Sequence, residues 1–166
     1  MSLLKPPQTE EIFEKLPFPE RLVLWSIRLW VDALENGHGI SERIHDAYKL
    51  SRAGDAYLDL DALMTIIATS SMSTIDIRRE KCAAISSDEK IFLCAVAMSQ
   101  SDLTQINANA ILERWVPAKE LDNVSILLSQ LALKLNRAGL HLNSKKYVNL
   151  PTSCRLHPST PEPVNF

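Results

Sequence analysis

Thirteen consecutive residues, Leu22 to Leu34, carry ten apolar side chains, interrupted only by Ser26, Arg28 and Asp32. A helix that is greasy on nearly every face must be surrounded by other helices. The run is too short to span a bilayer, which takes roughly 20 apolar residues. Its flanking and internal polar residues Arg21, Arg28, Asp32 and Glu35 lie seven, four and three positions apart. That spacing predicts one narrow solvent-facing stripe, with every other side packed on protein.

The rest of the chain reads as further helices with clear punctuation. Thr9 can cap a short helix over 9–16 that Pro17 stops, and Pro19 suits the first turn of the next helix, over 20–36. Gly37 suits its left-handed cap. Helices follow over 40–52 and, capped by Asp55 or Asp59, over 56–70. Residues 70–85 form a connector: Ile75 to Arg78 alternates like a strand but finds no partner strand. Ser86 and Glu89 make a capping box ahead of a helix over 87–100, whose eight-residue apolar core from Ile91 to Met98 marks it as buried. Asp102 caps a helix over 102–116 that turns Leu103, Ile106, Ala110, Ile111 and Trp115 inward. The best-patterned helix, 118–138, spaces Leu121, Val124, Leu128, Leu131, Leu135 and Ala138 by three and four. The expected fold is all-α: a single-domain bundle of about six helices over 1–139, ended by Gly139, with an extended proline-rich tail over 140–166.

Composition narrows the function. The 166 residues carry a net charge of -2, which argues against a nucleic-acid surface; the densest basic cluster, Arg78, Arg79 and Lys81, is too small to neutralise many phosphates. Cys82, Cys94 and Cys154 are odd in number and widely spaced, so no disulfide framework is expected. With no apolar leader visible at the N-terminus, the chain reads as soluble and cytoplasmic.

Each possible site competes with a plainer reading. Glu42 and His45 have the spacing of one arm of a di-iron bundle, but the second arm and the extra glutamates are missing, so a solvated helix face is expected. Glu35 and His38 straddle the Gly37 break. His45-Asp46 recurs in metal-dependent phosphohydrolases, yet the upstream histidine and distant aspartate they require are absent. Cys154 and His157, with His141, form an incomplete zinc set. No G-x-S-x-G elbow or glycine-rich phosphate loop is present. Cys94, mid-run among apolar neighbours, reads as inert packing, whereas Cys82, beside Arg78, Arg79 and Lys81, is the one thiol worth testing for reactivity.

No cofactor is expected, and no complete catalytic set emerges. The remaining features point to protein contact: Trp25 and Trp30 on different sides of one helix, and the Leu128, Leu131 and Leu135 seam, which can pack on its own chain or on a second copy. The expected function is a non-catalytic interaction or regulatory module that binds a protein partner or forms a homodimer, with no membrane role. The alternative is a bundle holding a small apolar ligand or a metal ion in its core, near Met64, Met98, Cys94 and His45.

Overall fold

The computed structural model describes residues 11–39, 42–101 and 105–143. Among them are a 3-10 turn, Phe13–Lys15, and six α-helices: α1 (Phe18–Glu35), α2 (Glu42–Leu50), α3 (Ala56–Ser70), α4 (Ser87–Ser99), α5 (Gln105–Leu112) and α6 (Ala118–Arg137). No strand forms among the described residues; one isolated antiparallel bridge joins Ile12 to Ala84. The fold is all-helical. No helix among the described residues is long and apolar enough to cross a membrane.

The helix boundaries follow local chemistry. Ser86 Oγ accepts the Glu89 N–H, and the Glu89 carboxylate accepts the Ser86 N–H, so the capping box closes in both directions. Gly37 and Gly139 take positive φ angles of 68° and 76° just past α1 and α6, the conformation that glycine adopts without a Cβ penalty. Asp55 occupies the cap position of α3, but its carboxylate makes no cap hydrogen bond; it turns instead to Lys134 of α6, 3.3 Å away.

Several expected elements are shorter. Of the helix expected over 9–16, the described residues 11–16 form only the 3-10 turn, and Thr9 lies outside the described residues. The helix expected over 102–116 ends at Leu112; Trp115 reaches the core from the turn that follows, and Asp102 lies outside the described residues. The core runs past Gly139, because Leu140 and Leu142 are buried in it; residues 144–166 lie outside the described residues.

Packing centres on α3, α4 and α6. The α6 seam of Val124, Leu128, Leu131 and Leu135 is buried against α3, α4 and α5. The most enclosed helix is α4, whose residues Ile91 to Ala97 are all buried, as an unbroken apolar run requires. Helix α1 packs on α2, α3 and α4 but leaves Phe18 and Leu34 in solvent.

The polar stripe expected on α1 does not exist as such. Asp32 and Glu35 are exposed and Arg21 is half-buried, but Arg28 has no exposed surface at all. A guanidinium is withdrawn from water only when every donor finds an acceptor. Here Nε and Nη2 grip both oxygens of Glu89 at 2.8 and 3.0 Å, Nη1 donates to the Cys82 carbonyl at 2.6 Å, and Nη2 also reaches the Ala84 carbonyl at 2.9 Å. The Phe13 ring covers the group from 4.9 Å.

Candidate functional site

The Arg28–Glu89 pair organises everything around the connector between α3 and α4. Glu89 Oε1 also accepts the Arg78 N–H at 2.9 Å, so residues 78–86 wrap a buried ion pair. The connector therefore holds one path without any regular secondary structure, because its backbone groups are satisfied by side chains. Glu80 projects from this path to α1 and α2. Its Oε1 accepts from the Trp25 indole at 3.1 Å and from Arg43 Nη2 at 2.7 Å, while the Arg43 guanidinium lies 5.5 Å above the Trp25 ring. The Arg43 hydrogen bond, chiefly, holds the Glu80 carboxyl below the usual carboxylate range.

This arrangement fixes Trp25 at one end of an open apolar groove of about 420 Å³. Phe13 of the 3-10 turn, Phe18, Arg21 and Leu22 of α1, Ala47 and Leu50 of α2, and Ser51 just past α2 complete it. Residues 18, 21, 22 and 25 share one helix face, so a single stripe of α1 forms the wall. Phe18 is 51% exposed and Leu50 is 85% exposed, the most open large apolar side chain among the described residues. Arg21 contributes the one charge. Its Nε is buried and has no hydrogen-bond partner among the described residues.

The expected site residues are widely dispersed. Leu128, Leu131 and Leu135 are buried in the chain's own core, which leaves them no free surface for a second copy. Trp30 is also buried, its indole donating to Asp61 at 2.7 Å, so of the five expected contact residues Trp25 alone borders solvent. Glu42 and His45 are exposed on α2; His45 packs edge-on against Tyr57 with ring centres 5.0 Å apart, and its Nδ1 lies 3.3 Å from Asp46. His45 therefore stands apart from Cys94 and Met98, whose sulfurs approach to 3.9 Å inside α4. No group of three or more metal-ligating side chains gathers among the described residues. Cys82 is half-buried and uses its carbonyl to hold Arg28, and Arg78 beside it is paired with Asp76 at 3.0 Å. Cys154 and His157 lie outside the described residues.

Phe18, Arg21 and Leu50 have no counterpart among the expected contact residues. Their signal is present in the chain, as an apolar residue, an arginine and an apolar residue placed close to Trp25 and at the end of α2. It becomes legible only when α1 and α2 are set side by side. These features define an all-helical protein with an apolar, arginine-rimmed surface groove. Compared with protein-family models, curated proteins and solved structures, the chain matches none of them.

Proposed function

We propose that this chain is a non-catalytic helical interaction module whose contact surface is the groove between α1 and α2. The observation that supports it best is the unpartnered Nε of Arg21, the one charged residue on a mostly apolar groove flanked by exposed Phe18 and Leu50. Large apolar side chains left in water are tolerated singly, but several lining one concavity mark a contact site. Arginine and tryptophan are the residue types that most often dominate such contacts. The chemistry fits a partner segment that presents an apolar side chain beside a carboxylate, the apolar group filling the groove and the carboxylate taking the planar fork of Arg21. A second copy of the chain is the first partner to test.

Sedimentation equilibrium of the full chain, compared with its Leu50→Glu and Arg21→Ala variants, addresses self-association. A dimer that dissociates in both variants supports the reading. Should the wild type stay monomeric, selection of displayed peptides on the folded protein is the second readout. Selected peptides pairing Leu or Phe with Asp or Glu, and losing binding on Leu50→Glu, support the module. A monomer that selects no such peptides overturns it.

A further inference from the structure

A second cavity, of about 280 Å³, opens between the C-terminal halves of α1 and α3 and the connector residues 71–77. Its floor is aromatic and buried: Trp30, Phe92 and Trp115, with the last two rings stacked at 22° and 6.2 Å. Ile75 and Ile77 of the connector form one wall. That wall is pinned at three points. The Met72 N–H donates to the Trp115 carbonyl at 3.2 Å, the Asp76 N–H to Asp88 at 2.8 Å, and the Arg78 N–H to Glu89 at 2.9 Å. A wall held this way gives a cavity that exists before any ligand arrives, which lowers the ordering cost of binding.

Size and lining restrict the occupant. An apolar cavity of about 150 Å³ accepts benzene, so this one has room for two fused rings but not for a helix. Flat aromatic surfaces favour an aromatic guest, which gains offset or edge-on ring contacts beyond area burial. The mouth is polar. Ser71 spends its hydroxyl on the Ser73 carbonyl, while the exposed Glu35 carboxylate has no hydrogen-bond partner among the described residues. An unspent acceptor at the mouth selects a guest that carries a donor, and a cation most of all. We propose that this cavity binds a bicyclic aromatic amine, its ring system against Trp30, Phe92 and Trp115 and its ammonium group at Glu35. The site is separate from the α1–α2 groove and stands or falls independently of it.

Calorimetric titration of the full chain with tryptamine and with indole tests the assignment. Both are expected to bind saturably, with tryptamine tighter by about threefold, the scale of one exposed ion pair. Glu35→Gln should erase that advantage and leave indole unchanged. Ala68→Phe, at an exposed α3 position on the cavity lining, should weaken both by at least about tenfold while the helical circular dichroism stays as in the wild type. Leu50→Glu, in the other groove, should alter neither. No saturable binding of either probe, or unchanged affinity in Ala68→Phe, overturns the proposal. A tryptamine advantage that survives Glu35→Gln overturns the placement of the amine.

Discussion

Arg28 of α1 and Glu89 of α4, 61 residues apart in the chain, meet through two hydrogen bonds of 2.8 and 3.0 Å, and neither side chain has any exposed surface. The pair is more than a link between two helices. Glu89 also closes the α4 cap and holds Arg78, and Arg28 also holds the Cys82 and Ala84 carbonyls. Removing either partner leaves a buried charge and several unmet polar groups, and such breaks cost about 3–5 kcal/mol. Arg28→Met and Glu89→Gln should each lower stability by about that much in urea unfolding. Isolated buried pairs can be replaced by apolar residues at little cost. Here the double variant Arg28→Met/Glu89→Leu should remain well below the wild type, because the orphaned carbonyls have no other donor among the described residues. Full recovery in the double variant would show that the connector does not depend on the pair.

Tyr48 gives a prediction with a pH axis. It is wholly buried, beside Ser26 on α1, and burial pushes its phenol up to about 12, an effect Ser26 partly offsets. The unfolded chain releases this proton near pH 10, whereas the folded chain keeps it until about 12. The folded state is therefore at no disadvantage below pH 10 and loses stability as pH rises from 10 to 12, by about 3 kcal/mol in all. Tyr48→Phe cannot ionise, so its stability should fall less steeply over the same interval. Parallel urea titrations at pH 8, 10 and 11.5 measure the difference, and equal slopes would refute it.

How far these features were legible in the sequence depends on distance along the chain. Patterns inside one helix were readable: the three-four spacing from Leu121 to Ala138, the Ser86 and Glu89 capping box, and the unbroken apolar run of α4 all describe a neighbourhood of a few residues. Arg28 misled because a helical wheel assigns direction and not company. Placed on the same arc as Arg21, Asp32 and Glu35, it reads as solvated. Its true environment is set by Glu89 and by the Arg79, Cys82 and Ala84 carbonyls of the connector, which no local pattern links to it. The groove fails to show for the same reason, since Phe13, Phe18 and Leu50 come from three elements. Conversely, the Leu128, Leu131 and Leu135 seam was visible, but a heptad-like stripe is the same object whether it faces α3 or a second copy.

Lys134 ties α6 to α3 from the edge of the core. Its ammonium lies 2.7 Å from Asp59 and 3.3 Å from Asp55, and Asp59 is nearly buried. The hydrogen bond to Asp59, first among several causes, raises the lysine above its ordinary 10.5. A raised lysine contributes its full stabilisation below pH 10.5 and loses it as pH climbs through the folded value. Lys134→Met should cost about 1–3 kcal/mol at pH 7, since it strands the Asp59 carboxylate. Lys134→Met/Asp59→Leu should recover most of that loss, because both positions flank apolar surface and Asp59 has no other cation among the described residues. A single variant as stable as the wild type would mean that Asp59 is satisfied without the lysine.

Gln100, just past the end of α4, holds the last stretch of described chain. Its Nε2 donates to the Leu140 carbonyl at 2.7 Å and its Oε1 accepts the Leu142 N–H at 2.8 Å, while the Gln100 backbone carbonyl accepts from Asn136 Nδ2 at 2.9 Å. Leu140 and Leu142 are buried by this clasp, and the next residue, Asn143, donates its N–H to the buried Glu20 of α1 at 3.0 Å. One amide side chain thus makes two of the bonds that seat residues 140–142 on the helices, beside the Leu140 N–H to the Leu135 carbonyl at 2.9 Å and the His141 ring to Asn136 Oδ1 at 2.9 Å. Gln100→Ala should destabilise the protein by about 1–2 kcal/mol. It should also speed hydrogen exchange at the Leu142 amide much more than at the amides inside α4, since the helix keeps its own ladder. Gln100→Glu discriminates the two halves of the clasp. A carboxylate still accepts from Leu142 but faces the Leu140 carbonyl without a proton to give, so this variant should fall between wild type and Gln100→Ala. If Gln100→Glu exchanged as slowly as the wild type, the bond to Leu140 would contribute nothing, and the bond from Leu142 together with burial of the two leucines would hold the segment.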